Sequence, residues 1–252
     1  MVVRILGFNG SPRKYGNTFK LLSIALKAAE RFEAETEIIH LYDYILKPCI
    51  GCLSDIQEAC RYPCVLDDDM KFLYDKILMA DGFIMATPVY WYSPSSQMKI
   101  FIDRLTVFEN MATMGEQCPL EGKVAGIIAC GNDSGTIQVI ANLYSILNSM
   151  GINIPPWALA YYHEKGDVLA KRSSILDAVN IGRNIVLTCK GEKPEKWYLD
   201  WKHIPFIYDL VNEVKIEVEE NRIMQWKSRE TAISKLIGNI KMEASKSLRD
   251  KQ

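Results

Sequence analysis

Three polar loops and one cysteine-rich segment hold the residues of this chain whose types and spacing could do chemistry. The first loop, "NGSPRKYGNT", sets Ser11, Arg13, Asn17 and Thr18 between an apolar run and a helical pattern. Amides at a helix N-terminus lack intrahelical partners and lie at the positive end of the helix dipole, so they attract anions. Ser11, Asn17 and Thr18 add hydrogen-bond donors, Arg13 adds a full charge, and Gly10 and Gly16 allow tight turning. That set suits a phosphate. An ordinary loop with a Ser or Asn helix cap is the competing reading. No G-x-G-x-x-G follows the first strand and no Gly-Lys-Ser/Thr is present, which excludes the dinucleotide and Walker patterns.

The second loop, "TPVYWYSPSS", carries Pro88, Tyr90, Trp91, Tyr92 and Pro94 almost in succession. It could wall a flat aromatic ligand, or its rings could be core or interface residues. The third, "CGNDSG", is short and glycine-containing, so its backbone could approach a ring from the other side. Cys49, Cys52, Cys60 and Cys64 fall close together, whereas Cys118, Cys130 and Cys189 are scattered. An odd total of 7 cysteines argues against a disulfide framework. Clustered thiols in a reducing compartment bind metal or do redox chemistry more often than they pair.

The elements that must position these groups alternate. "VVRILGF", "TEIIHLY", "GFIMATPVY", "KVAGIIAC" and "INIPPWALA" read as strands, the third stopped by Thr87-Pro88 and the last marked as a sheet edge by Pro155 and Pro156. Leu21, Leu22, Ala25, Leu26, Ala29 and Phe32 recur at helical spacing. Further helices are expected from about Met70 to Ala80, capped by one of Asp67, Asp68 or Asp69, through Met98–Leu105, and through Ile140–Leu147. Continuous apolar strands alternating with helices imply a parallel sheet covered on both faces. The expected fold is α/β: a doubly wound, five-stranded parallel sheet over residues 1–190, with a helical C-terminal extension over 191–252. In such a sheet the ligand lies beyond the carboxyl ends of the strands, where the three loops converge. In the extension Phe206, Leu210, Val211 and Val214 form one apolar stripe, and Ile233, Leu236, Ile237 and Ile240 another. Both need cover, on the parent domain or on a second subunit; a partner-binding arm is the alternative.

Composition adds exclusions. The chain has 252 residues, 48% of them hydrophobic, and a formal charge of -1, which gives no reason to expect nucleic acid as a partner. No apolar run approaches the ~20 residues that span a bilayer, and "MVVRILGF" reads as a strand and not a leader, so a cytoplasmic protein is expected. His40, His163 and His203 are isolated and read as structural or surface residues.

"GSPRKYGNT" followed by "TPVYWYSPSSQMKIFIDR" resembles the NAD(P)H-dependent FMN reductases of the flavodoxin-like superfamily, over about residues 1–165. The resemblance implies FMN, with its phosphate on Ser11, Arg13, Asn17 and Thr18. Its isoalloxazine would lie against Pro88, Val89, Tyr90, Trp91 and Tyr92, with Gly131 and Asn132 closing the site. Asp103-Arg104 also matches and reads as structural. "KPCIGCLSDIQEACRYPCVLDDDM" is similar to the segment that iron–sulfur flavoproteins of the same superfamily insert after strand two, where four cysteines hold a [4Fe–4S] cluster. Here Asp55 stands where the third ligand is expected, so Cys60 would serve as a displaced one, beside Cys49, Cys52 and Cys64. A cluster, a structural zinc and metal-free thiols all stay open at this point.

The resemblance further implies hydride transfer from NAD(P)H to FMN and electron delivery to a small acceptor or carrier protein, in a homodimer or homotetramer. The rival class is a flavodoxin-like electron carrier or binding module with no nicotinamide turnover. A third reading is a scaffold dominated by its C-terminal helices.

Overall fold

The computed structural model describes residues 2–249, with side chains up to Gly238 apart from Ser228, Thr231, Ala232 and Leu236. Its sheet is built from β1 (Val3–Asn9), β2 (Ala34–His40), β3 (Gly82–Tyr90), β5 (Val124–Cys130) and β6 (Leu159–Tyr162), in the order β2-β1-β3-β5-β6. All four pairings on that path are parallel. A two-residue β4 (Ser93–Pro94) folds back antiparallel on β3. Set β4 aside and this is the flavodoxin-like strand order, which reverses between β1 and β3. The apolar strands are buried on both sides; every residue of β5 is buried.

One apolar layer gathers α2 (Met70–Met79), α3 (Ser96–Arg104), α4 (Thr106–Thr113) and α5 (Thr136–Ser149). The other gathers α1 (Asn17–Arg31), α6 (Arg172–Cys189) and the start of α7 (Ile207–Arg249). Gly182 sets the spacing of the second layer. A Cβ there would run into the backbone of Ala25 and Ala29, so only glycine lets α6 lie this close on α1. Leu210, Val211 and Val214 bury in the same layer, so the first stripe of the extension packs on the parent domain. In the second stripe Ile237 is exposed, while the side chains of Leu236 and Ile240 lie outside the described residues.

Three expectations need correction. β3 does not stop at Thr87-Pro88 but runs on to Tyr90. Its pairing with β1 ends at Ala86 and its pairing with β4 starts at Val89, so at Thr87 and Pro88 only β5 lies alongside and proline forfeits no bond to a second neighbour. The last strand is shorter and later than "INIPPWALA": Pro155 and Pro156 precede it, and only Asn153 makes an isolated bridge, to Val124. The helix after β3 breaks at Leu105 and continues as α4. α2 begins as expected, and Asp68 accepts from the Met70 N–H at 3.1 Å. Among the described residues no helix is long and apolar enough to cross a membrane.

Candidate functional site

The three loops meet at the carboxyl edge of the sheet around a cleft of about 980 Å³. Ser11, Arg13, Asn17, Thr18, Pro88, Val89, Tyr90, Gly131 and Asn132 line it. Trp91 and Tyr92 do not; they border a smaller recess of about 150 Å³ shared with Val89 and Gly131–Ser134.

The phosphate-type loop owes its shape to residues that the sequence pattern did not single out. Buried Asn9 accepts from the Ser11 N–H at 3.1 Å, donates to the Lys14 carbonyl at 3.1 Å and lies 3.0 Å from His40 Nδ1. His40 is held below its ordinary pKa by burial, with Lys14 helping and Asp43 opposing, which favours the neutral ring that accepts from Asn9. Ser11 Oγ accepts from the Arg13 N–H at 3.2 Å. Gly16 stands at the cap position of α1, and among the described residues no side chain caps that helix. The competing reading, a Ser or Asn cap, is therefore not what the loop provides. First-turn amides are left facing the cleft without intrahelical partners. Asn17 spends its carboxamide on the 163–168 loop, donating to the Gly166 carbonyl at 2.8 Å and accepting from the Val168 N–H at 3.2 Å. What it offers the cleft is its backbone.

The first and second loops are tied together. Ser95 Oγ donates to the Gly10 carbonyl at 2.6 Å, and the Ser95 N–H donates to Thr87 Oγ1 at 3.0 Å. Tyr90 and Ser93 pair across a two-residue turn whose central residues, Trp91 and Tyr92, have φ of 51° and 61°. Such turns normally carry Asn-Gly, because a side chain in the left-handed region costs about 1–2 kcal/mol. Gly135, with φ of 83°, closes the third loop where a Cβ would sit 2.9 Å from Tyr92 Cδ1. Backbone strain held at a loop facing a cleft is a feature of binding sites. Trp91 is 94% exposed, so its indole does not fund the strain by burial. Trp91→Gly is expected to raise stability by about 1 kcal/mol, or roughly 2–4 °C in Tm. A drop in Tm would show instead that a second subunit covers the indole.

Cys130, on the cleft floor, is pushed up to about 12 by burial, and Tyr90 is raised chiefly by burial as well. Both stay protonated at neutral pH. Neither is a ready acid or base.

The four clustered cysteines line one small void of about 10 Å³ together with Arg104. Cys60 is buried, and its thiol is pushed up to about 11 by burial first and then by the neighbouring Cys52, Cys49 and Cys64. Arg104 is 1% exposed, and its Nε–H is buried with no partner among the described residues. No group of three His, Cys, Asp or Glu side chains among the described residues is arranged to hold a single metal ion. Four thiols and an unpaired N–H border one small void.

Residues 3–164 match the NADPH-dependent FMN reductase family. The chain belongs to that family. An iron-sulfur flavoprotein of Archaeoglobus fulgidus is 32% identical over 167 residues, 66% of this chain and 72% of that relative. One of Methanocaldococcus jannaschii is 37% identical over 149 residues, 57% of this chain and 72% of that relative. Among solved structures, RosB with a bound 8-demethyl-8-formylriboflavin-5'-phosphate intermediate superposes with a TM-score of 0.65, at 22% identity, over 87% of this chain and 88% of that one. An NADH:FMN oxidoreductase in its apo form gives 0.54, at 23% identity, over 79% and 95%. Identities that low speak to the fold, which is flavodoxin-like. As a family member the chain is a flavoprotein oxidoreductase that uses FMN and NAD(P)H. The family match ends before α6 and α7, yet α7 also lines the cleft, through Lys215, Val218, Glu219, Arg222, Gln225 and Arg229. Nothing in the sequence pattern assigns those residues to the site.

Proposed function

We propose that the chain holds FMN in the cleft, takes hydride onto it from NAD(P)H, and passes the electrons to an acceptor such as a quinone, a free flavin or an iron–sulfur cluster. The observation that carries this reading is the uncapped N-terminus of α1, facing one cleft with Pro88–Tyr90 and the Gly131–Asn132 backbone. In it Ser11, Arg13, Thr18 and the first-turn amides hold the phosphate, and Asn17 contributes through its N–H. Pro88, Val89 and Tyr90 lie along the ring, with Trp91 and Tyr92 at its outer edge and Gly131 and Asn132 opposite. When bound, FMN supplies the two-electron acceptor for the nicotinamide hydride. The protein orients the two rings, keeps water out and directs backbone amides at the ring's polar edge. Cys49, Cys52, Cys60 and Cys64 would hold a [4Fe–4S] cluster, which would supply one-electron steps to a carrier; the relatives' names and the donor set support this. A cytoplasmic homodimer or homotetramer completes the reading.

The test is a visible spectrum of protein purified without oxygen, before and after NADPH or NADH. Two flavin bands that bleach with either nicotinamide are expected, over a broad brown shoulder from the cluster. Flavin bands without the shoulder remove the cluster alone. Bands that neither nicotinamide bleaches make the chain an electron carrier. Colourless protein that refuses added FMN removes the reading altogether.

A further inference from the structure

α7 has two apolar faces, and its parent domain covers one of them. On the docked face Leu210, Val211 and Val214 are buried, Glu217 accepts from the Ser23 hydroxyl at 3.0 Å, and Gln225 Oε1 accepts from the Tyr15 N–H at 2.8 Å. Turned away from it, Ile216, Ile223, Trp226, Ile233 and Ile237 follow at intervals of seven, three, seven and four residues. Those intervals mark the first and fourth positions of a heptad, which share one stripe of a helix. Four of the five are exposed: Ile216 by 60%, Ile223 by 66%, Trp226 by 52% and Ile237 by 47%. Single exposed apolar residues are ordinary, but a stripe of them in heptad register is the seam of a coiled coil.

The helix is also longer than its support. At 1.5 Å per residue its 43 residues span about 64 Å, against a breadth of about 40 Å for a globular domain of this size. An uninterrupted helix of that length is typical of helices that pair with other helices.

Charge identifies the partner. Residues 207–222 carry five acidic side chains and two basic ones, whereas 223–249 carry six basic and two acidic. Laid antiparallel on a copy of itself, α7 sets each acidic half against the basic half of the other. Laid parallel, it sets like against like. Glu230 lies within the stripe, and a parallel pair would bring it against its own copy across the seam. An antiparallel pair centred on the stripe sets Ile216 opposite Ile237 and Glu230 opposite Ile223, so no two carboxylates meet there. We propose that this face of α7 is the dimer interface of the protein, paired antiparallel with the same face of a second copy. The inference gives the homo-oligomer of the proposed function a surface. It does not depend on FMN in the cleft, because none of the five side chains lines it.

The test is sedimentation equilibrium of the full chain at micromolar concentration. The wild type is expected at twice the 28.7 kDa chain mass, or at a larger even multiple of it. I223K/I237K should weaken the pairing at least about 100-fold with helix content unchanged, since both side chains are exposed in the single chain. I223S/I237S, which adds no charge, should act in the same direction. Carbodiimide links between light- and heavy-isotope copies should join carboxylates of residues 207–222 to Lys227 or Lys235. Wild-type protein that stays monomeric overturns the inference, and a monomer that binds phosphatidylserine vesicles gives the stripe to a lipid surface instead. An assembly that both variants leave intact also overturns it, and links that join like halves overturn the antiparallel order. The flavin content of the same samples reports on the cleft separately, so a failure of the FMN reading is told apart from a failure of the interface.

Discussion

Arg104→Ala is expected to cost the fold about 3–5 kcal/mol, a fall in Tm of roughly 10 °C or more. Arg104 Nη1 and Nη2 clasp the Asp68 carboxylate at 2.7 and 3.2 Å, and each side chain is 1% exposed. The pair staples both ends of the cysteine segment: Arg104 also donates to the Lys47 carbonyl at 2.9 Å, while Asp68 accepts from the Lys47 N–H at 2.7 Å. Removing the guanidinium leaves a buried carboxylate without its cation, and that is costlier than removing both. Burial raises the Asp68 pKa, but Arg104 and the Lys47 and Met70 amides outweigh it and hold the carboxyl below its ordinary value. A lowered carboxyl contributes stability above its unfolded pKa of 3.8 and loses it as pH falls through the lower value in the fold. Chemical unfolding from pH 7 down to pH 2 should therefore show an acid limb in the wild type that is flattened in Arg104→Ala. A loss below about 1 kcal/mol would mean that water reaches the pair. Cys60 should also alkylate faster in the variant, since the segment that buries it has lost its clasp.

The sequence makes the sheet and the three loops legible because both are local. Continuous apolar runs mark strands buried on two faces, and Gly, Ser, Asn and Pro mark the loops that end them. The misreadings have one cause: residues that act across the chain look local when read in a line. Pro88 resembles a strand terminator only until β1 is known to end beside Ala86. α6 buries Asn180, Arg183 and Asn184, which bind the carbonyls of Leu199, Lys196 and Trp197. Pattern alone assigns such residues to solvent. Asn9 and Ser95, which help fix the loop shapes, are unremarked polar residues until their partners are known, and His40 and Thr87 show their loop roles only through theirs. α7 carried a helical signal, but no feature of its sequence said that its cations face a cleft formed by residues some 200 positions earlier.

Ser11→Asp is expected to weaken FMN binding about 100-fold or more while leaving riboflavin binding nearly unchanged. Ser11 is 5% exposed and lines the cleft, and its Oγ accepts from the Arg13 N–H, a role that a carboxylate can also fill. The loop keeps that N–H partner, but a carboxylate at so buried a position also costs the fold stability, so the two ligands are compared on protein shown to be folded. What changes is the charge within the cradle. A carboxylate about 5 Å from a phosphate charge opposes it by about 3 kcal/mol at an effective dielectric near 20, which is ~100-fold in affinity. Riboflavin has no phosphate and does not feel this opposition, so the ratio of the two affinities isolates the cradle from the ring site. Ser11→Ala serves as the companion, with an expected loss of about 1 kcal/mol for one neutral hydrogen bond. Raising salt should weaken FMN binding to the wild type and strengthen it in Ser11→Asp, because screening acts on attraction in the one and on repulsion in the other. If the wild type binds riboflavin as tightly as FMN, the loop does not hold the phosphate, and the unpaired amides of α1 must face some other anion.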